Sequence, residues 1–130
     1  MTNQFTLGKN ERLKSRKQIE WLFSEGKKFS ITPFRVHYVF KPLAKPPLQF
    51  GVGVSNKNFK KAVDRNKIKR QVRDAYRLQK ISLQQKLKDK KSQLSLFFIY
   101  KGKEMPEYSD MFDQMKKILD KLDHLVESEN

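Results

Sequence analysis

The residues best suited to chemistry in this chain lie between Asn58 and Lys80, in the run NFKKAVDRNKIKRQVRDAYRLQK. At about 100° per residue, Arg65, Asn66, Lys69, Arg70, Arg73 and Arg77 fall on one sector of an α-helix. Ile68, Val72, Ala75 and Tyr76 recur at i, i+4, i+7 and i+8 on the neighbouring sector. One helix would therefore carry a core seam and, beside it, a cationic face. Charged helix faces usually mix signs, because like charges at i, i+4 repel. A face of one sign calls for a polyanion to relieve that repulsion. The guanidinium forks at positions 65, 70, 73 and 77 suit two-point contacts to phosphate. Asn66 is the uncharged member of the face. Asp74 stands at its edge, within helix-neighbour reach of Arg70 and Arg77.

Bond-making chemistry is poorly supported. The chain has no cysteine, which excludes disulfides, thiolate metal sites and Cys nucleophiles. His37 and His124 have no Ser or Cys partner at a recognisable spacing. The 14 carboxylates are scattered, often beside Lys or Arg, and form no metal-binding pattern. Gly51 and Gly53 do not satisfy the dinucleotide fingerprint, and no P-loop is present. A net charge of +15 over 130 residues suits a nucleic-acid partner better than a membrane surface. Nothing resembles a signal peptide, and no run approaches the roughly 20 apolar residues of a membrane span. These features place the protein in the cytoplasm, with no membrane partner.

The elements that would position the basic face can be read in order, in a single domain over residues 1–130. Residues 1–12 read as an extended arm docked on the domain. Ser15 and Gln18 form a capping-box pattern for a helix ending at Glu25, with Gly26 in the left-handed position beyond it. Ile19, Leu22 and Phe23 share its stripe and Trp21 lies to one side. Either all are core, or Ile19 and Phe23 wall a groove. Phe34, Val36, Tyr38 and Phe40 alternate with Arg35, His37 and Val39, as in a half-buried strand. Pro42, Pro46 and Pro47 mark a loop between Lys41 and Pro47. Leu48–Ser55 reads as a second strand, antiparallel to the first. Its Gly51 and Gly53 leave one face bare for a helix or ligand. After the basic helix, Leu83 and Leu87 either extend it or form a short helix of their own. Leu94–Tyr100 reads as a central strand buried on both faces. Pro106 suits the first turn of a last helix, whose Met111, Met115, Ile118, Leu119, Leu122 and Val126 recur at helical spacing. A frayed tail follows from Glu127. The expected architecture is α+β, a small and mostly antiparallel sheet packed with three helices.

The run DRNKIKRQVRDAYR resembles the signature of the bacterial ribonuclease P protein subunit. LKSRKQIEWLFSEGKKF is similar to that family's first helix and its glycine end. LQFGVGVSNKNFKKAV is similar to its glycine-containing strand and Lys-rich approach, and FFIYKG and the last amphipathic helix follow in order. The resemblance spans nearly the whole chain. It implies an α/β sandwich with a left-handed βαβ crossover, against the usual hand. It implies a protein that binds a large catalytic RNA and helps remove the 5′ leader of precursor tRNA. The RNA would supply catalysis, with magnesium for the holoenzyme, no catalytic group or metal ligand from the protein, and one protein monomer per RNA.

Carried over by position, Arg65, Asn66, Lys67, Lys69, Arg70, Arg73 and Arg77 would contact the catalytic RNA. Lys57, Lys60 and Lys61 would add phosphate contacts. Lys67 stands where the family usually has Arg, and it loses the planar fork. The leader would enter a cleft formed by Arg12, Lys14, Ile19, Phe23, Arg35 and His37. Ile19 and His37 replace common aromatics, which would shift base stacking toward Tyr38. Two other readings fit the composition: a ribosomal or rRNA-binding protein without processing activity, and a DNA-binding helix module. The strand context gives no support to the DNA module.

Overall fold

A computed structural model describes residues 11–42 and 46–129. Residues 1–10 of the expected arm, the centre of the proline loop and Asn130 lie outside them. The chain runs α1 (Arg16–Glu25), β1 (Lys27–Ile31), β2 (Phe34–Pro42), β3 (Leu48–Val54), α2 (Ala62–Gln79), α3 (Ile81–Asp89), β4 (Ser92–Tyr100) and α4 (Tyr108–Glu129).

Ser15 caps α1 by accepting the Gln18 N–H at 3.4 Å. Gly26 ends the helix with φ −82°, in extended rather than left-handed backbone. Close approach explains it: a Cβ there would lie 2.5 Å from the Leu22 carbonyl and 2.8 Å from that of Tyr38. A strand absent from the sequence reading follows. Lys27, Lys28 and Ser30 of β1 are exposed, and only Phe29 and Ile31 turn partly inward, which is how an edge strand avoids further pairing.

The sheet order is β1-β2-β4-β3. β1–β2 and β2–β4 are antiparallel, with Val36 opposite Phe98. β3 does not pair with β2 as expected. It lies parallel to β4, with Phe50 opposite Leu96. The connection between these parallel neighbours holds α2 and α3 and makes a βαβ crossover. Lys80 separates the two helices, so Leu83 and Leu87 belong to a helix of their own.

Val36, Tyr38, Leu48, Phe50, Leu94, Leu96 and Phe98 face a core closed by α2, α3 and α4. Tyr76 of α2 stacks on Phe50, centroids 4.0 Å apart, and Phe98 meets Phe50 edge-on at 5.2 Å. The α4 residues expected in the core are all buried there. That helix starts after Pro106 and continues to Glu129, so the stretch expected to fray is helical; Glu127 pairs with Lys86 at 2.8 Å. Among the described helices, α1 alone crosses the opposite face. Leu22 is its one buried side chain, worth about 2 kcal/mol. β4 is central, yet Phe97 and Ile99 on this face are only half-buried, so burial on both faces is incomplete.

Candidate nucleic-acid interface

The seam of α2 is buried as its spacing dictates: Ile68, Val72, Ala75 and Tyr76 are each 0% exposed. Seating that seam on the sheet turns the neighbouring sector outward. Asn66, Lys67 and Arg70 are exposed, and Lys69, Arg73 and Arg77 are partly so. Two arginines are engaged within the protein. Arg77 pairs with Asp74 at 3.1 Å, resolving the choice of partner for that carboxylate. Arg65 donates Nη1 to the carbonyls of Phe59 and Lys60, each at 2.8 Å. It thereby fixes the approach to its own helix.

That approach is further held by the Phe59 N–H on the Ser55 carbonyl and the Lys57 N–H on Ser55 Oγ, both at 3.1 Å. Asn58 donates to the Gly102 carbonyl, and Phe59 is buried. Lys57, Lys60 and Lys61 are exposed on this braced turn.

Of the six residues expected in the cleft, Arg12, Lys14 and Ile19 line one groove, and α2 reaches into it. Arg12, Lys14, Ile19 and Arg73 share a groove of about 270 Å³ floored by Gly51, Val52 and Phe97. Phe97 is the floor residue that sequence reasoning missed. A Cβ on Gly51 would stand 2.7 Å from its ring, and one on Gly53 3.2 Å. The bared face of β3 thus receives an aromatic ring from β4 rather than a helix. That Gly-x-Gly gap was the signal that could have found it. Phe23 packs edge-on to Phe97 at 5.3 Å and against His37 at 4.4 Å, while remaining 43% exposed. Arg35 is half-buried on the same face of β2. Tyr38 points the other way, into the core against Phe29 and Phe40, and offers the cleft no stacking surface.

The field in this cleft is positive. Burial lowers the His37 pKa, and the charges of Arg35, Lys28 and Lys101 lower it further. Burial, then the nearby Arg12 guanidinium, makes Arg73 easier to deprotonate than usual, a sign that two cations are held together.

The groove's outer wall has its own anchor. Lys80, 1% exposed, pairs with Glu11 at 2.7 Å, and Gln84 donates to the same carboxylate oxygen at 2.8 Å. Two residues on, the Leu13 N–H donates to the Phe50 carbonyl. The docked end of the expected arm is therefore real at Glu11 and Arg12, and it sets Arg12 and Lys14 beside Arg73.

Among the described residues, no three His, Asp or Glu side chains gather as metal ligands. A cationic groove is a poor donor set for a divalent ion.

A profile described as Ribonuclease P matches residues 7–123. The chain belongs to the ribonuclease P protein family. It is 36% identical over 116 residues to the Ribonuclease P protein component of Porphyromonas gingivalis, covering 88% of this chain and 85% of that one. The corresponding protein of Dictyoglomus turgidum is 43% identical over 70 residues, 54% of this chain and 56% of its own. The RNase P protein of Thermotoga maritima superposes with a TM-score of 0.64 at 25% identity, covering 85% of this chain and 96% of that one. That of Staphylococcus aureus gives 0.64 at 19% identity over 85% and 93%, a likeness of fold alone. The family match spans both the α2 face and the groove.

Proposed function

We propose that this chain is the protein subunit of a ribonuclease P holoenzyme, binding the catalytic RNA through α2 and the 5′ leader of precursor tRNA through the groove. The observation that carries this reading is Arg73. It rises from the cationic helix and also lines the groove with Ile19 and Phe97, so one residue joins both surfaces. A strand in the groove would meet Phe97 and Phe23 for base stacking and Arg12, Lys14 and Arg73 for phosphates. Asn66, Lys67, Lys69 and Arg70 would face the larger RNA, backed by Lys57, Lys60 and Lys61. Stacking of this kind tolerates any base, as a variable leader requires.

The protein's part is positional. It holds two RNAs in register and screens their mutual repulsion, and the catalytic RNA carries the cleavage chemistry. One protein monomer serves one RNA. No described helix is long and apolar enough to cross a membrane.

Reconstitution tests the reading. Added to a bacterial ribonuclease P RNA at low magnesium, the chain should restore cleavage of precursor tRNA. Doubling the alanines, Arg70→Ala with Arg73→Ala, should weaken assembly with an unchanged circular dichroism spectrum. With about six phosphates neutralised, affinity should fall on the order of a thousandfold between low and moderate salt. No stimulation at any protein concentration, or cleavage by the RNA-free chain, would overturn it. Co-sedimentation with ribosomal subunits instead would favour the rRNA-binding alternative.

A further inference from the structure

Leu22 divides α1 into two flanks. On one flank Ile19 lines the groove and Phe23 packs on its Phe97 floor, and Lys17, Gln18 and Trp21 occupy the other. Trp21 is the chain's one tryptophan and is 44% exposed. Lys41, at the end of β2, holds its Nζ 5.0 Å from the Trp21 ring centroid. Lys17, Gln18, Trp21 and Lys41 line an open hollow of about 600 Å³.

We propose that this flank is a second RNA-binding site, stacking one unpaired base on Trp21 and placing the adjoining phosphates beside Lys17 and Lys41. The proposal rests on the protein being an RNA binder, not on the assignment of the groove to the leader. The chemistry selects the occupant. A tryptophan ring with the Lys41 ammonium over it and Lys17 lining the same hollow matches a nucleotide, whose base is flat and whose neighbours are anionic. A protein partner needs roughly 800 Å² per side, more than four side chains supply. Glu25, one turn beyond Trp21 on the same flank, would repel a further phosphate, so the site takes a short segment only. Gln18 adds an amide able to meet a base edge. α1 thereby becomes a ridge with a strand of RNA on each side.

The lone tryptophan supplies the readout. Hexaadenylate titrated into the full chain at low salt should quench the emission of Trp21 to saturation. Binding should weaken about threefold in Lys17→Ala and in Lys41→Ala, and more at higher salt. Phe23→Ala, which damages the groove, should leave the quenching intact. Trp21→Ala should bind labelled hexaadenylate about tenfold more weakly when the groove is already disabled by Phe23→Ala. Emission unchanged by the oligonucleotide, in a preparation that still stimulates the catalytic RNA, overturns this site and leaves the proposed function standing. Quenching abolished by Phe23→Ala overturns it too, since the strand would then lie only in the groove. A blue shift with phosphatidylglycerol vesicles but no response to hexaadenylate would assign the ring to a membrane and refute the proposal. Quenching that persists in a chain unable to stimulate the ribozyme upholds the site and counts against the holoenzyme reading alone.

Discussion

Neighbouring residues of β4 lead different lives on the two faces of the sheet. Leu96 and Phe98 are sealed beneath α2, α3 and α4 at 0% exposure. Phe97 and Ile99, on the opposite face, are only half-buried, with Phe97 covered in part by Phe23 of α1. Both faces are aromatic. One is closed and carries the stability, and the other is left unfinished and can exchange water for a ligand. Hydrophobic character alone therefore does not identify the binding face; the completeness of its cover does.

The sharpest way to break this contrast is to truncate two adjacent phenylalanines. Phe98→Ala should cost about 4 kcal/mol in denaturant unfolding. Phe97→Ala should cost about 1 kcal/mol and weaken binding of a single-stranded leader roughly tenfold. Equal stability losses would erase the distinction. A somewhat smaller effect probes the strap on the open face. Lys80→Ala leaves the Glu11 carboxylate without its ammonium and should cost about 3 kcal/mol, with Lys80→Met plus Glu11→Leu recovering most of it. Leader binding should suffer in the single variant, because Glu11 holds Arg12 and Lys14 at the groove.

The smallest effect is a pH dependence confined to the open face. His37 is held below its ordinary 6.5 by burial and by Arg35, Lys28 and Lys101. As pH falls through 6.5, the unfolded chain takes up this proton before the folded one does. Stability should be level above that point and decline below it. A phosphate in the groove would favour the protonated ring, so leader affinity should rise over the same window. His37→Gln should flatten both curves, read by urea unfolding and by anisotropy of a labelled leader.

Periodicity made α2 and α4 legible, because a helix records its buried side every three to four residues. Ser15 and Gln18 marked the start of α1 for the same local reason. Strand pairing was another matter. β2 and β3 are adjacent in sequence and invite a hairpin, yet β4 lies between them, and nothing within either strand specifies that. β1 escaped notice because two lysines and a serine hide its alternation. The site divided along similar lines. The cationic face follows from helical spacing alone. Arg65 looks like its neighbours in the sequence, but only the path of the backbone shows that two carbonyls hold it. Phe97 and the Glu11–Lys80 pair depend on contacts between distant segments, which no local pattern records.

The parallel pairing of β3 with β4 bears on how the protein is made. Every residue of α2 and α3 is synthesised between those two strands, and Tyr76 rests on Phe50 with Phe98 alongside. Until β4 leaves the ribosome, half of that floor is missing. A nascent chain thus displays its basic residues early as loose charge. Their ordered spacing is complete only once β4 has emerged and joined the sheet.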